Sequence, residues 1–96
     1  MNLETVRTAA EQLLDDDIRG GAHEVLITRI WEFDTDWLVT YNSQEFIDTG
    51  ELGYSMPAVP IIVSKTEGTA RLALADRPVE QQIAGRGTVR WDLRES

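Results

Sequence analysis

Few side chains in this sequence could do chemistry. His23 is the one histidine and there is no cysteine, which excludes a thiolate nucleophile, a thiolate metal site and any site built on two imidazoles. His23 follows Gly20-Gly21, where a polar loop residue is expected. Asp34 and Asp36 could offer oxygens to a hard cation, but a calcium loop needs several more at fixed spacing. Two carboxylates so close together read as turn formers. Gly85-Arg86-Gly87 lacks both the Lys-Ser pair and the strand-to-helix context of a phosphate loop. Ser43 sits in Asn-Ser-Gln-Glu without the glycines of a nucleophile elbow, and Ser55, Ser64 and Ser96 have no motif. Glu45, Asp48 and Glu51 can gather round one turn. Acid pairs cleave glycosides only across a cleft, and a chain of 96 residues buries only about 60–65% of its unfolded surface. The sequence therefore marks no catalytic residue, no metal site and no cofactor.

Charge narrows the partners. Nine Lys and Arg stand against seventeen Asp and Glu, for a net charge of −8. Phosphate backbones and anionic membrane surfaces want the opposite sign, so neither nucleic acid nor membrane is expected. An acidic surface suits solubility or a basic protein partner. The N-terminus has neither a basic n-region nor an apolar h-region, and no apolar run approaches the ~20 residues of a membrane span. The expectation is a cytoplasmic protein.

The elements that must position these groups follow from periodicity. Asn2 can cap a helix from Leu3, with Leu3, Val6, Ala10, Leu13 and Leu14 in one apolar stripe. Asp15-Asp16-Asp17 lie at its far end, where the helix dipole disfavours them; they read as a solvated face, with a recognition patch as the sharper alternative. Gly20-Gly21 stop the helix or the loop after it. Residues 24–33 read as a strand with Val25, Ile27, Trp31 and Phe33 on one face and Leu26, Thr28, Ile30 and Glu32 on the other. Arg29 interrupts the first face and could snorkel to the edge or pair with an acid on a neighbouring strand. Asp34-Thr35-Asp36 turn into a second strand, 37–41, with Trp37, Val39 and Tyr41 on one face. Asn42 caps a short helical turn, with Glu45 completing a capping box and Gly50 ending it. After a loop, Pro60 opens a short strand, 61–63, and is confined to a strand start or an edge. Lys65-Thr66-Glu67-Gly68 is a hairpin turn with positive φ at Gly68, and 69–74 return. Asp76 caps a last short helix to about Ala84, and 88–93 alternate as a strand or ordered tail. Helix then sheet, without alternation, means one α+β domain over residues 1–96: an N-terminal helix packed on a four- or five-stranded antiparallel sheet, with a short C-terminal helix.

One resemblance goes further. Trp37 with Tyr41-Asn42-Ser43, Glu45-Phe46-Ile47 with Thr49-Gly50, Pro60-Ile61-Ile62-Val63, Gly68 and Pro78 follow in the order and spacing of the immunity protein 35 family, or YrhB domain, from the first helix to about Ala84. The sequence departs from that pattern at Ser55-Met56-Pro57-Ala58-Val59, in a less acidic turn at 65–68, and in the tail after Gly85. The resemblance implies a small bacterial α+β protein that binds and blocks a cognate polymorphic toxin and has no catalytic residues of its own.

The expected contact is the acidic loops, Asp34, Asp36, Glu45, Asp48 and Glu51, with Trp37 or Tyr54 as aromatic anchor. A weak homodimer through an edge strand at Pro60 is also compatible with the sequence. Two rivals predict different observations. A chaperone-like or stress protein of the same fold would expose apolar surface for many clients, and a small enzyme would need a cleft with perturbed titratable groups.

Overall fold

A computed structural model of the chain describes residues 2–19, 24–51, 59–74 and 76–95. The first helix, α1 (Leu3–Leu13), begins where the cap predicts: Asn2 Oδ1 accepts the Thr5 N–H at 2.9 Å, satisfying one of the donors that a first turn leaves open. Val6, Ala10 and Leu14 are fully buried, with Leu3 and Leu13 packed beside them. The helix then widens into a π-helical turn, Leu14–Ile18, in which Asp15, Asp16 and Asp17 are exposed. Arg19 offsets the misplaced charge. Its guanidinium donates to Glu11 at 2.6 Å, to Asp15 at 2.8 Å and to the Val25 carbonyl, tying the helix end to the first strand. The Glu11 hydrogen bond is the main reason its pKa rises further. The stop expected at Gly20-Gly21 and His23 lie outside the described residues.

Five antiparallel strands follow: β1 (Val25–Glu32), β2 (Asp36–Ser43), β3 (Ile61–Ser64), β4 (Ala70–Leu72) and β5 (Thr88–Asp92), in the order β4-β3-β2-β1-β5. The β1–β2 hairpin closes through Phe33 N–H to the Asp36 carbonyl, and the β3–β4 turn through Gly68 at φ 70. Sheet and helix together form the expected α+β fold. The sheet lays a row of buried side chains under α1, Ile61 beside Val39 beside Ile30, with Leu72 and Trp91 at its ends. Arg7 of α1 stacks over the Trp91 ring at 4.2 Å.

The face assignment in β1 needs correction. Ile27 pairs with Tyr41 but Arg29 pairs with Thr40, so Thr28 is an extra residue. Such a bulge shifts the alternation by one. Ile30, not Trp31, therefore joins Val25 and Ile27 under the helix, and Trp31 and Phe33 turn to the opposite face. Arg29 turns with them and pairs with Asp92 across the strands at 2.9 Å, as expected of it. A second bulge, at Arg90, adjusts β5 to β1.

The second face is covered by the chain itself. Between β4 and β5 it crosses from one sheet edge to the other, and Ala73, Val79 and Ile83 pack with Leu38, Ile62, Trp31 and Phe33. The helix expected here shrinks to a 3-10 turn, Val79–Gln81, behind Pro78 with no side-chain cap from Asp76. Gln82 instead locks the crossover by bonding the Leu74 N–H and the Leu74 and Arg77 carbonyls. The Pro60 strand is not an edge: β3 lies between β2 and β4, and the edges are β4 and β5. The tail after Gly85 is ordered as β5 and a final 3-10 turn, Leu93–Glu95.

Candidate partner-binding surface

The second helix, α2 (Gln44–Thr49), carries two of the expected contact residues, Glu45 and Asp48, and Glu51 follows its end. Its cap is Ser43, one residue later than predicted, because β2 continues through Asn42 to Ser43. Ser43 Oγ accepts the Phe46 N–H at 3.2 Å, while Asn42 Oδ1 accepts the Ser43 N–H. Glu45 is thus one position too early for the capping box. Gly50 ends the helix at φ 72 and its N–H returns to the Phe46 carbonyl. Asp48 and Glu51 are exposed and Glu45 is half-buried.

The Gln44 N–H donates to the Glu24 carbonyl at 2.8 Å, which places α2 against the start of β1. Arg19 places the end of α1 there as well. One end of the molecule therefore gathers Asp15, Asp16, Asp17, Glu24, Glu45, Asp48 and Glu51, all but Glu45 exposed. Arg19 is committed to Glu11 and Asp15. The sequence signals the Asp15–17 run but not its union with α2. Glu24 carries no signal at all, since its place beside α2 depends on strand pairing.

Asp34 and Asp36 do not join this group. They sit at the opposite end of β2, about 23 Å away at the usual rise of roughly 3.3 Å per residue. Their neighbourhood is mixed in charge. Glu32 accepts from Lys65 at 2.8 Å and from Arg90 at 2.7 Å, and Arg86 lies in the same hollow. Asp36 accepts the Thr35 hydroxyl, and the Asp34 carboxylate closes on Gly85. Trp37 is 4% exposed and packed in the helix-side core, with Lys65 Nζ 5.5 Å from its ring. Tyr54 lies outside the described residues.

The titratable groups that shift do so for packing reasons. Hydrogen bonds first from Lys65 and then from Arg90 hold the Glu32 carboxyl below its ordinary range. The Arg94 backbone N–H and then Arg29 do the same for Asp92. Burial raises the Tyr41 phenol, whose OH donates to the Val59 carbonyl at 2.8 Å. Among the described residues no group of three or more His, Cys, Asp or Glu could hold a metal ion, and no helix is long and apolar enough to cross a membrane. Two hollows open on the second sheet face among the described residues. One, of about 270 Å³, lies between Arg29, Thr40, Phe46 and Arg94. The other, of about 380 Å³, lies beside Trp31 and Phe33.

An antiparallel sheet with one helix on one face, a crossover on the other and a charged end built from helix termini defines a small α+β domain. The family model of immunity protein 35 matches residues 4–92, through β5 and so beyond the Ala84 limit that the motifs suggest. The chain belongs to the immunity protein 35 family. No curated protein and no solved structure matches it.

Proposed function

We propose that the chain is the cytoplasmic antidote of a bacterial polymorphic toxin, a stoichiometric inhibitor that binds the toxin and performs no chemistry of its own. Family membership over nearly the whole chain carries this reading. The acidic end supports a site for it: exposed carboxylates from α1, the start of β1 and α2 would steer a basic toxin surface and set its orientation. A standard interface takes about 800 Å² per partner, which one end of a molecule 35 by 31 by 24 Å can supply. Asp48 and Glu51 would form the centre of this contact with Glu45 behind them. Asp34 and Asp36, at the far end, would lie outside it. Any self-association through a sheet edge would use β4 or β5.

The test is binding to the toxin domain encoded beside this chain, with growth rescue on co-expression. The expected result is a defined complex, restored growth and an association rate that falls as salt rises. A salt-independent rate, unchanged when Asp16, Asp17, Asp48 and Glu51 are neutralised, would remove the acidic end from the contact. No complex, with many unrelated clients captured instead, would replace the antidote by the chaperone-like reading.

A further inference from the structure

The smaller hollow on the second face is lined by cations. Because Thr28 is an extra residue in β1, Arg29 falls on this face and not under α1. The final 3-10 turn, Leu93–Glu95, brings Arg94 to the same hollow. The Arg94 N–H fastens that turn by donating to Asp92 Oδ1 at 2.9 Å. Thr28 and Thr40, whose hydroxyls bond each other at 2.8 Å, line the hollow as well. Phe46 and Ile47 of α2 supply its apolar wall. Both are only half-buried, and no α2 side chain is fully buried.

Both guanidiniums have donors left over. Arg29 donates from Nε to Asp92 Oδ2 at 2.9 Å, and no described residue accepts from its two terminal nitrogens. The exposed Arg94 side chain makes no hydrogen bond or ion pair among the described residues. Asp92 is the one carboxylate among the lining residues. Its side chain is 11% exposed, and each of its oxygens already accepts a hydrogen bond. The hollow is therefore locally positive on a chain of net charge −8, and the planar fork of an arginine matches a carboxylate. Its volume of about 270 Å³ lies below the roughly 300–1,000 Å³ of small-molecule sites and suits one side chain. The hollow also adjoins the acidic end, because α2 carries Phe46 and Ile47 on one side and the exposed Asp48 on another. A partner seated on Asp48 and Glu51 covers α2 and reaches the hollow.

We propose that the hollow between α2 and the end of β5 receives a carboxylate side chain of the partner polypeptide. Its oxygens pair with the Arg29 and Arg94 guanidiniums, and its methylene stem lies against Phe46 and Ile47. The inference deepens the reading above and rests on it in taking that partner to be the toxin. It gives the contact both signs of charge: carboxylates around α2 steer basic surface, and one acid of the partner, seated among arginines, fixes the register.

The first experiment is an NMR titration of isotope-labelled protein, read at the Arg29 and Arg94 Nε–H signals, with N-acetyl-Glu-methylamide, its neutral analogue N-acetyl-Gln-methylamide, and inorganic phosphate. The expected result is a saturable shift of both signals, with the Glu probe binding about two- to five-fold more tightly than the Gln probe, as for exposed ion pairs. Arg94→Gln should remove most of that preference and leave the Tm unchanged. Equal binding of the Glu and Gln probes overturns the proposal. Tighter binding of phosphate overturns it in favour of a phosphate-bearing ligand, and shifts that follow protein concentration without any probe overturn it in favour of a second copy of the chain. The second experiment is toxin dissociation from Arg94→Glu. If charge only steers a basic partner, this change adds attraction and dissociation is unchanged or slower; that result also overturns the proposal. A carboxylate in the hollow makes dissociation at least about tenfold faster. A wild-type chain that prefers the Glu probe but binds no toxin would support the hollow as a carboxylate site and sink the antidote reading.

Discussion

Glu32 and Asp92 show what single residues contribute. Each carboxylate is held below its ordinary range in the folded chain, Glu32 chiefly by Lys65 and Asp92 chiefly by the Arg94 N–H. The unfolded chain therefore takes up protons first as pH falls, so the stability that these groups supply is present above the ordinary carboxylate range and is lost on acidification through it. Thermal melts should show a falling Tm between about pH 5 and pH 3. Glu32→Gln should lower the Tm at pH 7 and flatten that fall; an unchanged slope would dismiss the Lys65–Glu32–Arg90 bridge as a stabilising feature. The Glu32 side chain is 27% exposed, enough for screening to keep its effect modest, whereas that of Asp92 is 11% exposed. In the core, Ile30 is fully buried in the middle of the row under α1. Ile30→Ala should cost about 2–5 kcal/mol in denaturant unfolding. Trp31, one residue on, should cost less than a core tryptophan because it borders the open hollow of the second face.

Caps and bulges decide behaviour at the scale of elements. Ser43, not Asn42, satisfies the first turn of α2. Ser43→Ala should therefore destabilise by about 1 kcal/mol, a Tm loss of about 4–8 °C for a domain of this size, and Asn42→Ala by clearly less. Equal losses would place the cap at Asn42 after all. The Thr28 bulge acts on register. Deleting Thr28 removes the extra residue and leaves regular alternation, with Val25, Ile27 and Ile30 still under the helix and Arg29, paired with Asp92, and Trp31 still on the second face. The deletion should therefore keep cooperative unfolding and the near-UV signal of the tryptophans; loss of either would show that the bulge does more than set the faces.

Charge distribution governs the whole molecule. A net charge of −8 is spread unevenly: exposed carboxylates collect where α1 ends, β1 begins and α2 lies, while the β1–β2 turn carries Lys65, Arg86 and Arg90 among its acids. Neutralising Asp16, Asp17, Asp48 and Glu51 together should slow toxin association by about tenfold or more at low salt, whereas Asp34→Asn with Asp36→Asn should leave the rate nearly unchanged. Stopped-flow association over a salt series separates the two.

Local interactions made much of this protein legible in its sequence. The Asn2 cap, the stripe from Val6 to Leu14, the Asp34–Asp36 turn, the positive φ at Gly68 and the α+β order each rest on neighbours within a few residues, where spacing and side-chain chemistry speak directly. The motifs from Trp37 to Val63 carried the family as well. Tertiary structure decided the rest, because it depends on partners far apart in the chain. Alternation alone cannot show that Thr28 is an extra residue; only the pairing of Arg29 with Thr40 reveals it and sends Trp31 to the second face. Trp37 looks like a strand-end anchor until the helix-side core takes it in, with Lys65 Nζ over its ring. Carboxylates that read as one acidic loop set are separated by the length of β2, while Glu24 and Asp15–17, unremarkable or remote in sequence, are drawn together by Arg19 and the Glu24–Gln44 bond. Types and turns are local properties, but which side chains share a surface is fixed by strand register and by where the chain crosses the sheet.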